Sequence, residues 1–407
     1  MDNFLFWLAA VDLLLCIVVG YRLIWTARSL RHLQSIEPLP TKNLPTVSVI
    51  VAARNEQQNI EAALQSLLQL DYENLEIIVV NDRSTDGTES VLERMSACQA
   101  ALAAAATPVA SGESIPNPPR APTYLRIVAV RDLPPGWLGK NHALYRGASE
   151  ASGEYLLFTD ADIVMEASAL RRAMAYVRQE KLDHLAILFR ICMPNWWLES
   201  FVIAFCVYFF AHFKPWKVRD PNSKAHIGVG GFNLLRAQAY RDMGTHQAIA
   251  MRPDDDLKLG KLVKLHGFRQ DVVLGPDLIY VPWYSSLREL IVGLEKNAFA
   301  GVDYNIAVIV LSSMLILAMH AFPFVAVFIT SGWTRVLFGA VCLSLLLICV
   351  HAAHQCRLRK SASLGFPVAV VLFAFIQWRT MILNLWQGGI RWRDTFYPLA
   401  ELKANKV

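Results

Sequence analysis

Four long apolar runs frame the chain. The first extends from Phe4 to about Trp25 and is broken by Asp12 and Arg22. The others come late: Ile306 to Ile329, which contains no Asp, Glu, Lys or Arg; Val336 to Val350, extended by His351 to His354; and Leu364 to Trp386, which carries Arg379. A helix needs about 20 apolar residues to cross a bilayer. The runs therefore predict a transmembrane helix within 1–27 and three more at about 306–329, 336–354 and 364–386, followed by a tail at 387–407.

Between them, over 44–305, the pattern changes to short β-rich runs alternating with helical periodicity. Val47 to Ala52 is followed by Arg54-Asn55-Glu56 and then by Ile60, Ala63, Leu64, Leu67 and Leu68 at helical spacing. Leu75 to Val80, Leu125 to Val130 and Tyr155 to Phe158 predict further strands. Such alternation implies an α/β fold, a parallel sheet with helices on both faces. Ligands of such sheets bind beyond the carboxyl ends of the strands. Asn55 and Glu56, Asp82, and Asp160 with Asp162 all fall there. The stretch 97–122 reads as an Ala-rich helical tail and then a Ser/Gly/Pro-rich surface excursion.

Trp196 to Phe213 is apolar and aromatic, with Lys214, Trp216, Lys217 and Arg219 after it. A single crossing here would put Asp160 and Asp162 on the opposite side of a membrane from Asp254-Asp255-Asp256. If those acids share a site, the segment predicts an interfacial helix at about 196–213, anchored by its tryptophans and basic residues. A plain core helix is the other reading.

Composition supports the membrane assignment. Hydrophobic residues make up 54% and charged residues 18% of the 407, which excludes a disordered chain, an acidic scaffold or a coiled coil. With Lys+Arg 39 against Asp+Glu 34, the net charge of +5 is no nucleic-acid footprint, and no nucleic-acid partner is expected. Arg28 and Arg31 follow the first run, and Arg357, Arg359 and Lys360 lie between the last two. Basic residues gather at cytoplasmic ends, so the expected arrangement is a multi-pass protein of the inner (cell) membrane, its N-terminus outside and 44–305 in the cytoplasm. Three full late spans, the favoured reading, would leave the tail outside, where Arg391 and Arg393 fit the charge rule poorly; the alternative is that Leu364 to Trp386 enters and returns, or lies partly in the interface, leaving the tail beside residues 44–305. The seven cysteines form no C-x-x-C, which suits a reducing compartment.

The polar clusters suggest chemistry. Asp160-Ala161-Asp162 ends a strand, so its two carboxylates can converge on a hard cation such as Mg²⁺ or Mn²⁺ while leaving positions for diphosphate oxygens. Asp82 can accept hydrogen bonds from a base or ribose, while Asp86, in Ser84 to Gly87, reads as a turn that caps the next helix. Asp254-Asp255-Asp256 begins a helix, where like charges can raise one carboxylate toward the pKa of a general base. Gly228 to Gly231 lets backbone approach a ligand closely, and Lys140 stands where a helix begins, a site for phosphate.

Taken in order, Val49-Ile-Val-Ala-Ala-Arg-Asn-Glu56, Val80-Asn-Asp-Arg-Ser-Thr-Asp-Gly-Thr88, Gly136-Trp-Leu-Gly-Lys140, Asp160-Ala-Asp162, Gly230-Gly-Phe232 and Asp255-Asp-Leu-Lys-Leu-Gly260 resemble the membrane-bound family 2 glycosyltransferases. The subgroup that looks closest contains ceramide glucosyltransferases and bacterial glycosyltransferases of carotenoid and hopanoid lipid pathways; Gly388-Gly-Ile-Arg391-Trp392 with Tyr397-Pro398 also looks like it. The resemblance implies a GT-A domain, the Rossmann-like nucleotide-diphospho-sugar transferase fold, with flanking transmembrane helices. It implies that Asn55, Glu56, Asp82, Lys140, Asp160, Gly230 and Gly231 bind the nucleotide-sugar, with Asp160 on the ribose side. Asp162, beside Asp160, would ligate the metal. Asp256 would be the base, with Asp255 where relatives carry Glu. Many relatives follow the base with Gln-x-x-Arg-Trp; here Gly293-Leu-Glu-Lys296-Asn297 stands there, and Lys296 is the cation on offer.

The expectation is an inverting enzyme that moves one sugar from a nucleotide-sugar, UDP-linked, to a lipid or polyprenyl acceptor at the bilayer. A processive polysaccharide synthase and a catalytically silent membrane GT-A binding protein are the alternatives.

Overall fold

A computed structural model of the chain describes residues 2–41, 43–106 and 124–407. Its contacts divide into two units. One, the sheet unit, comprises His32–Phe189, Val218–Val281 and Val407; the other, the helical unit, comprises the chain up to Arg31, Arg190–Lys217 and Pro282–Lys406. The composition-based division at 44–305 differs from this: residues 190–217 and 282–305 pack with the apolar helices, because their side chains are apolar too.

The chain enters through α1 (Asp2–Ala27) of the helical unit. The sheet unit then runs β1 (Val47–Ala53), α2 (Ile60–Leu68), β2 (Leu75–Asp82), α3 (Thr88–Ala106), β3 (Tyr124–Val130), α4 (Gly139–Glu150), β4 (Tyr155–Asp160), α5 (Ala169–Glu180) and β5 (His184–Leu188). After α6 (Trp196–Phe213), in the helical unit, come β6 (Asn233–Arg236), α7 (Ala237–Asp242), α8 (Asp255–Leu265) and β7 (Gln270–Leu274). The β-branched residues of β1 are fully buried, and α2 turns Ile60, Ala63, Leu64 and Leu67 inward at no more than 2% exposure, which is the face their spacing defines. The predicted excursion at 97–122 is helical to Ala106; 107–122 lies outside the described residues.

The seven strands lie in the order β3-β2-β1-β4-β6-β5-β7. β1, β2, β3 and β4 are parallel, as are β5 and β7. The expectation of a parallel sheet is corrected at β6, which runs antiparallel to both β4 and β5. β6 is a four-residue strand beside a glycine cluster, too short to announce itself by periodicity. Register brings the acids to one edge: Ala52 lies level with Asp160 on one side and Val80 on the other, with Ala53 opposite Asn81.

The same sheet fixes a point about α6. β4 and β5 precede this helix and β6 and β7 follow it, yet all four share one sheet. Residues 214–232, between α6 and β6, hold no helix long enough to return across a bilayer, and irregular backbone does not cross its hydrocarbon core. A single crossing by α6 is therefore excluded.

The rest of the helical unit is α9 (Leu287–Leu294), α10 (Ile306–Ile316), α11 (Phe322–Ile329), α12 (Gly332–Gln355), α13 (Phe366–Gln387), the hairpin β8 (Gly389–Trp392) and β9 (Thr395–Pro398), and α14 (Leu399–Ala404). One π-helical turn, Leu317–Ala321, joins α10 to α11. Among the described residues five helices are long and apolar enough to span a membrane: Asn3–Trp25, Trp196–Lys217, Ile306–Ile329, Gly332–Gln355 and Lys360–Gln387. The third of these matches its predicted bounds, and α12 starts four residues before the predicted 336. Phe201, Val202 and Ile203 of α6 are fully buried, in clusters with Phe366, Val370 and Ile376 of α13, while Trp197 is exposed. The chain's last described residue belongs to the sheet unit, where the Val407 carbonyl accepts a hydrogen bond from Lys261 Nζ (2.5 Å) and the side chain packs beside Leu259 and Leu262.

Candidate active site

The loops after β1 and β2 are stitched together by side chains. Asn55, held at φ 56°, accepts from the Thr85 amide through Oδ1 (2.8 Å) and donates its own amide to Ser84 Oγ (3.1 Å). The Glu56 amide donates to Thr88 Oγ1 (2.9 Å), and the Gln57 amide to Asp86 Oδ2 (3.2 Å). Burial pushes the Asp86 carboxyl up, but hydrogen bonds from Thr88 and Gln57 outweigh it and hold the group below its usual range. Asp86 is thus the capping residue that its turn sequence suggests.

Asp82, 3% exposed, receives a two-pronged contact from Arg83, Nε to Oδ1 at 2.7 Å and Nη2 to Oδ2 at 2.9 Å. Arg54 adds a second guanidinium at 3.9 Å. The first turn of α4 presses on this pair so closely that a Cβ at Gly139 would lie 2.5 Å from Asp82 Oδ2. A carboxylate buried this deeply needs such partners.

A second cluster forms where β4 meets α8. Lys140, in the first turn of α4, reaches Asp160 Oδ1 at 2.8 Å and Asp255 Oδ2 at 3.5 Å. Burial works against its charge, yet Asp160, Asp255 and Asp256 together hold the ammonium well above its usual range. Asp256 accepts from the Gly230 amide (2.8 Å) and the Leu257 amide (2.8 Å). Burial and then the Asp255 carboxylate push Asp256 up to about 7, with Lys140 opposing. Asp162 also rises to about 7, through burial, then Asp160 and Glu56. Lys140, Asp160, Gly230, Asn233, His246, Asp255 and Asp256 line one pocket.

The glycine loop serves this cluster by pressing against protein. A Cβ at Gly228 would lie 1.8 Å from the Asp256 carbonyl oxygen, and one at Gly230 2.7 Å from Asp160 Oδ2. Gly231 faces Phe189 and Ile163, and its carbonyl accepts from Thr159 Oγ1 (2.8 Å).

Several residues that hold the site were not singled out from sequence. Asn141, fully buried, donates through Nδ2 to the carbonyls of Ile249 (2.8 Å), Ala250 (3.2 Å) and Arg252 (2.9 Å). It pins the loop that delivers α8. Arg252 clamps Asp254 at 2.9 Å through both Nε and Nη2, with Lys258 at 3.7 Å. The first acid of the triplet is therefore structural. His246 shares a hydrogen bond with Tyr240 (2.7 Å), and burial keeps it neutral, down to about 3. Only its apolar surroundings, invisible in a linear pattern, mark it.

The predicted residues thus fall into two groups in the sheet unit: Asn55, Glu56 and Asp82 on the β1 and β2 loops, and Lys140, Asp160, Asp162, Gly230, Asp255 and Asp256 around β4 and α8, with Glu56 close enough to raise Asp162. Lys296 falls in the helical unit, where its ammonium lies 4.1 Å from the centre of the Trp392 ring, a cation–π contact.

The donor set suits a divalent cation shared with a ligand. Burial first, and then the Asp160 and Glu56 carboxylates, lift Asp162, and a hard cation relieves such crowding. Among the described residues no group of three or more His, Cys, Asp or Glu side chains makes a full set of ligands. A diphosphate supplying the remaining oxygens fits that deficit.

Residues 48–101 and 121–244 match the family described as Glycosyl transferase family 2. An uncharacterized glycosyltransferase of Haemophilus influenzae is 32% identical over 36% of this chain and 36% of its own length. The 4,4'-diaponeurosporenoate glycosyltransferase of Staphylococcus haemolyticus is 28% identical over 33% of this chain and 29% of its own. A poly-β-1,6-N-acetyl-D-glucosamine synthase of Staphylococcus aureus is 25% identical over 37% and 30%. The matched part thus spans about a third of the length of these curated relatives. Among solved structures, a mannosyltransferase from Pyrobaculum calidifontis in complex with GDP-Man and Mn²⁺ has the same fold, with a TM-score of 0.52 at 18% identity, over 94% of this chain and 99% of that one.

Proposed function

We propose that this chain, whose residues 48–101 and 121–244 match glycosyl transferase family 2 and whose sheet has the GT-A fold, moves one sugar from a nucleotide-sugar, UDP-linked, to a lipid acceptor, with inversion at the anomeric carbon. The observation that carries the reading is Asp256, whose carboxyl is lifted to about 7 in the pocket of Lys140, Asp160 and Asp255. A general base is most effective when its pKa lies near the working pH. Asp256 takes the proton of the acceptor hydroxyl as its oxygen attacks the anomeric carbon and the nucleoside diphosphate leaves with the bonding pair. Asp255, fixed to Lys140, holds the helix start and adds the charge that raises Asp256.

Asp82 and Glu56 bind the uridine and Asp160 its ribose side, with Asn55 shaping their loop. Gly230 positions Asp256 through its amide, and Lys140 meets diphosphate oxygens when the donor displaces it from Asp160. A divalent cation, Mg²⁺ or Mn²⁺, held by Asp162 with Asp160 beside it, would offset the diphosphate charge; the Pyrobaculum relative of this fold carries Mn²⁺ with its donor.

The absence of Gln-x-x-Arg-Trp supports a single transfer over a processive synthase, although one matched relative is a polysaccharide synthase. Five long apolar helices support a multi-pass place in the inner membrane with the sheet unit on the cytoplasmic side. Val407 in the sheet unit supports an even number of crossings after Val281. In this arrangement α10–α11 and α12 cross and α13 lies with α6 at headgroup level, so that Arg379, Arg391 and Arg393 stay on the cytoplasmic side. This replaces the expectation of three full late spans and an outside tail.

The test is UDP release from UDP-glucose by the full chain in lipid nanodiscs, with and without Mn²⁺. Release that needs the ion and fails in Asp256→Asn supports the reading. Release indifferent to both, or UDP bound with no turnover of any UDP-sugar offered, points instead to a silent binding protein.

A further inference from the structure

The pocket around Asp256 is lined by the charged side chains of Lys140, Asp160 and Asp255 and by the imidazole of His246. Backbone and packing hold that ring still. Gly244 and Thr245 just before it are both left-handed, at φ 90° and 59°, and a β-branched residue takes such a conformation only under strain. The ring is 1% exposed and packs edge-on against Phe158, with centroids 4.8 Å apart. Phe158 lies two residues before Asp160 on β4.

Tyr240 decides which ring nitrogen carries the proton. Its phenolic oxygen accepts from the His246 amide (3.1 Å). Its own proton has one acceptor among the described residues, His246 Nδ1 at 2.7 Å. Burial, and then the Lys140 ammonium, keep the imidazole neutral. With Nδ1 accepting, the single ring proton sits on Nε2. Nε2–H is then the polar group that this ring offers to the pocket it lines. The pocket has a volume of about 10 Å³, room for one group the size of a water or a hydroxyl.

Ionised carboxylates only accept hydrogen bonds, and Nε2–H only donates. A hydroxyl between them satisfies both, giving its proton to a carboxylate and accepting from the imidazole. An imidazolium would instead pair with Asp256 and tie up the base. We infer that His246 is a further catalytic residue, whose Nε2–H donates to the oxygen of the acceptor hydroxyl while Asp256 removes that hydroxyl's proton. The inference rests on the proposed transfer and adds a second contact to the attacking oxygen. The proton passes to Asp256, the electron pair left on oxygen forms the bond to the anomeric carbon, and the nucleoside diphosphate leaves with its bonding pair. His246 keeps its proton throughout. Negative charge gathers on the oxygen as its O–H bond breaks, so a donor already in place bonds it most strongly in the transition state.

UDP release from UDP-glucose tests this, with the full chain in nanodiscs made from the lipid extract of the cells it comes from, which supplies the acceptor. His246→Phe keeps a packed ring and loses Nε2–H; kcat should fall about 10²-fold, with the KM for UDP-glucose nearly unchanged. His246→Gln, whose amide reaches the place of Nε2, should recover most of kcat. His246→Asn, whose amide reaches only the place of Nδ1, should not. A merely structural role would treat Gln and Asn alike. UDP binding with Mn²⁺ checks that each variant is folded, and if His246→Phe is not, the Gln and Asn pair decides. Full kcat in His246→Phe, equal recovery by Gln and Asn, or a loss confined to KM overturns the inference. ¹⁵N spectra of the histidine-labelled chain read the tautomer apart from turnover: a proton on Nε2 is expected, and one on Nδ1 overturns the inference. Failure of the proposed function looks different: wild type would release no UDP although Nε2 carries the proton.

Discussion

The two units differ in how they use charge. In the sheet unit buried charges are bonded in pairs and triplets: Asp82 with Arg83 and Arg54, Asp254 with Arg252 and Lys258, Lys140 with Asp160 and Asp255. The helical unit has fewer charges, with Glu199 paired to Arg359 and Glu295 to Arg379; neutral polar atoms buried without a hydrogen-bond partner occur in both units, Asn81 Oδ1 and Asn141 Oδ1 in one and Thr380 Oγ1 and Asn384 Nδ2 in the other. The contrast separates two tasks. Reaction chemistry needs acids whose pKa is set in advance by fixed neighbours. Packing of long apolar helices needs only that the few charges among them find a partner.

The largest effects should come from the acids. Asp162→Asn is expected to reduce turnover to background, because a neutral amide is a poor ligand for a hard cation; near-normal turnover of that variant in excess EDTA would end the metal assignment. Asp256→Asn should lower kcat by about 10²–10⁴ with UDP affinity nearly intact. If UDP affinity collapses instead, Asp256 binds donor and Asp255 becomes the base.

A substitution of the same kind in each unit sharpens the contrast. Asn141→Leu removes three hydrogen bonds to the loop before α8 and should cost about 2–3 kcal/mol, read by urea unfolding. Thr380→Val, which breaks no hydrogen bond, should cost nothing. Equal losses at both positions would erase the difference between the units.

The acidity of the site sets a smaller and signed effect. Asp256 must be ionised to act as a base, and its carboxyl is raised to about 7. kcat/KM should therefore climb with pH through about 7 and then level off. A profile already flat from pH 5 upward would mean that Asp256 keeps an ordinary carboxylate pKa or is not the base.

How far these regions can be read from sequence also differs. Strands β1, β2 and β4 are legible because their β-branched runs stop at the polar residues: Asp82 and Asp160 are the last residues of their strands. The pairing of Lys140 with Asp255 is not legible, since it depends on β6 entering between β4 and β5. Asn141 was passed over beside Lys140 because its three acceptors are backbone atoms more than a hundred residues away. In α13 Gln377, Thr380 and Asn384 are diluted by the surrounding Val, Phe and Leu, so a hydropathy window reads one uniform span. The side of the tail follows from whether α13 crosses the bilayer or lies in its interface, and labelling decides it. With native cysteines removed, a cysteine at Ala404 should react with an impermeant reagent only after lysis; reaction in intact cells would restore three full crossings.

The central proposal, one sugar placed on a membrane lipid by the Asp256 site, is tested most directly by mass spectrometry of lipids from cells carrying the wild type or Asp256→Asn. The account predicts a lipid heavier by one sugar residue in wild type and absent from the variant. A ladder of repeating sugar increments, or the same product in both strains, would contradict it.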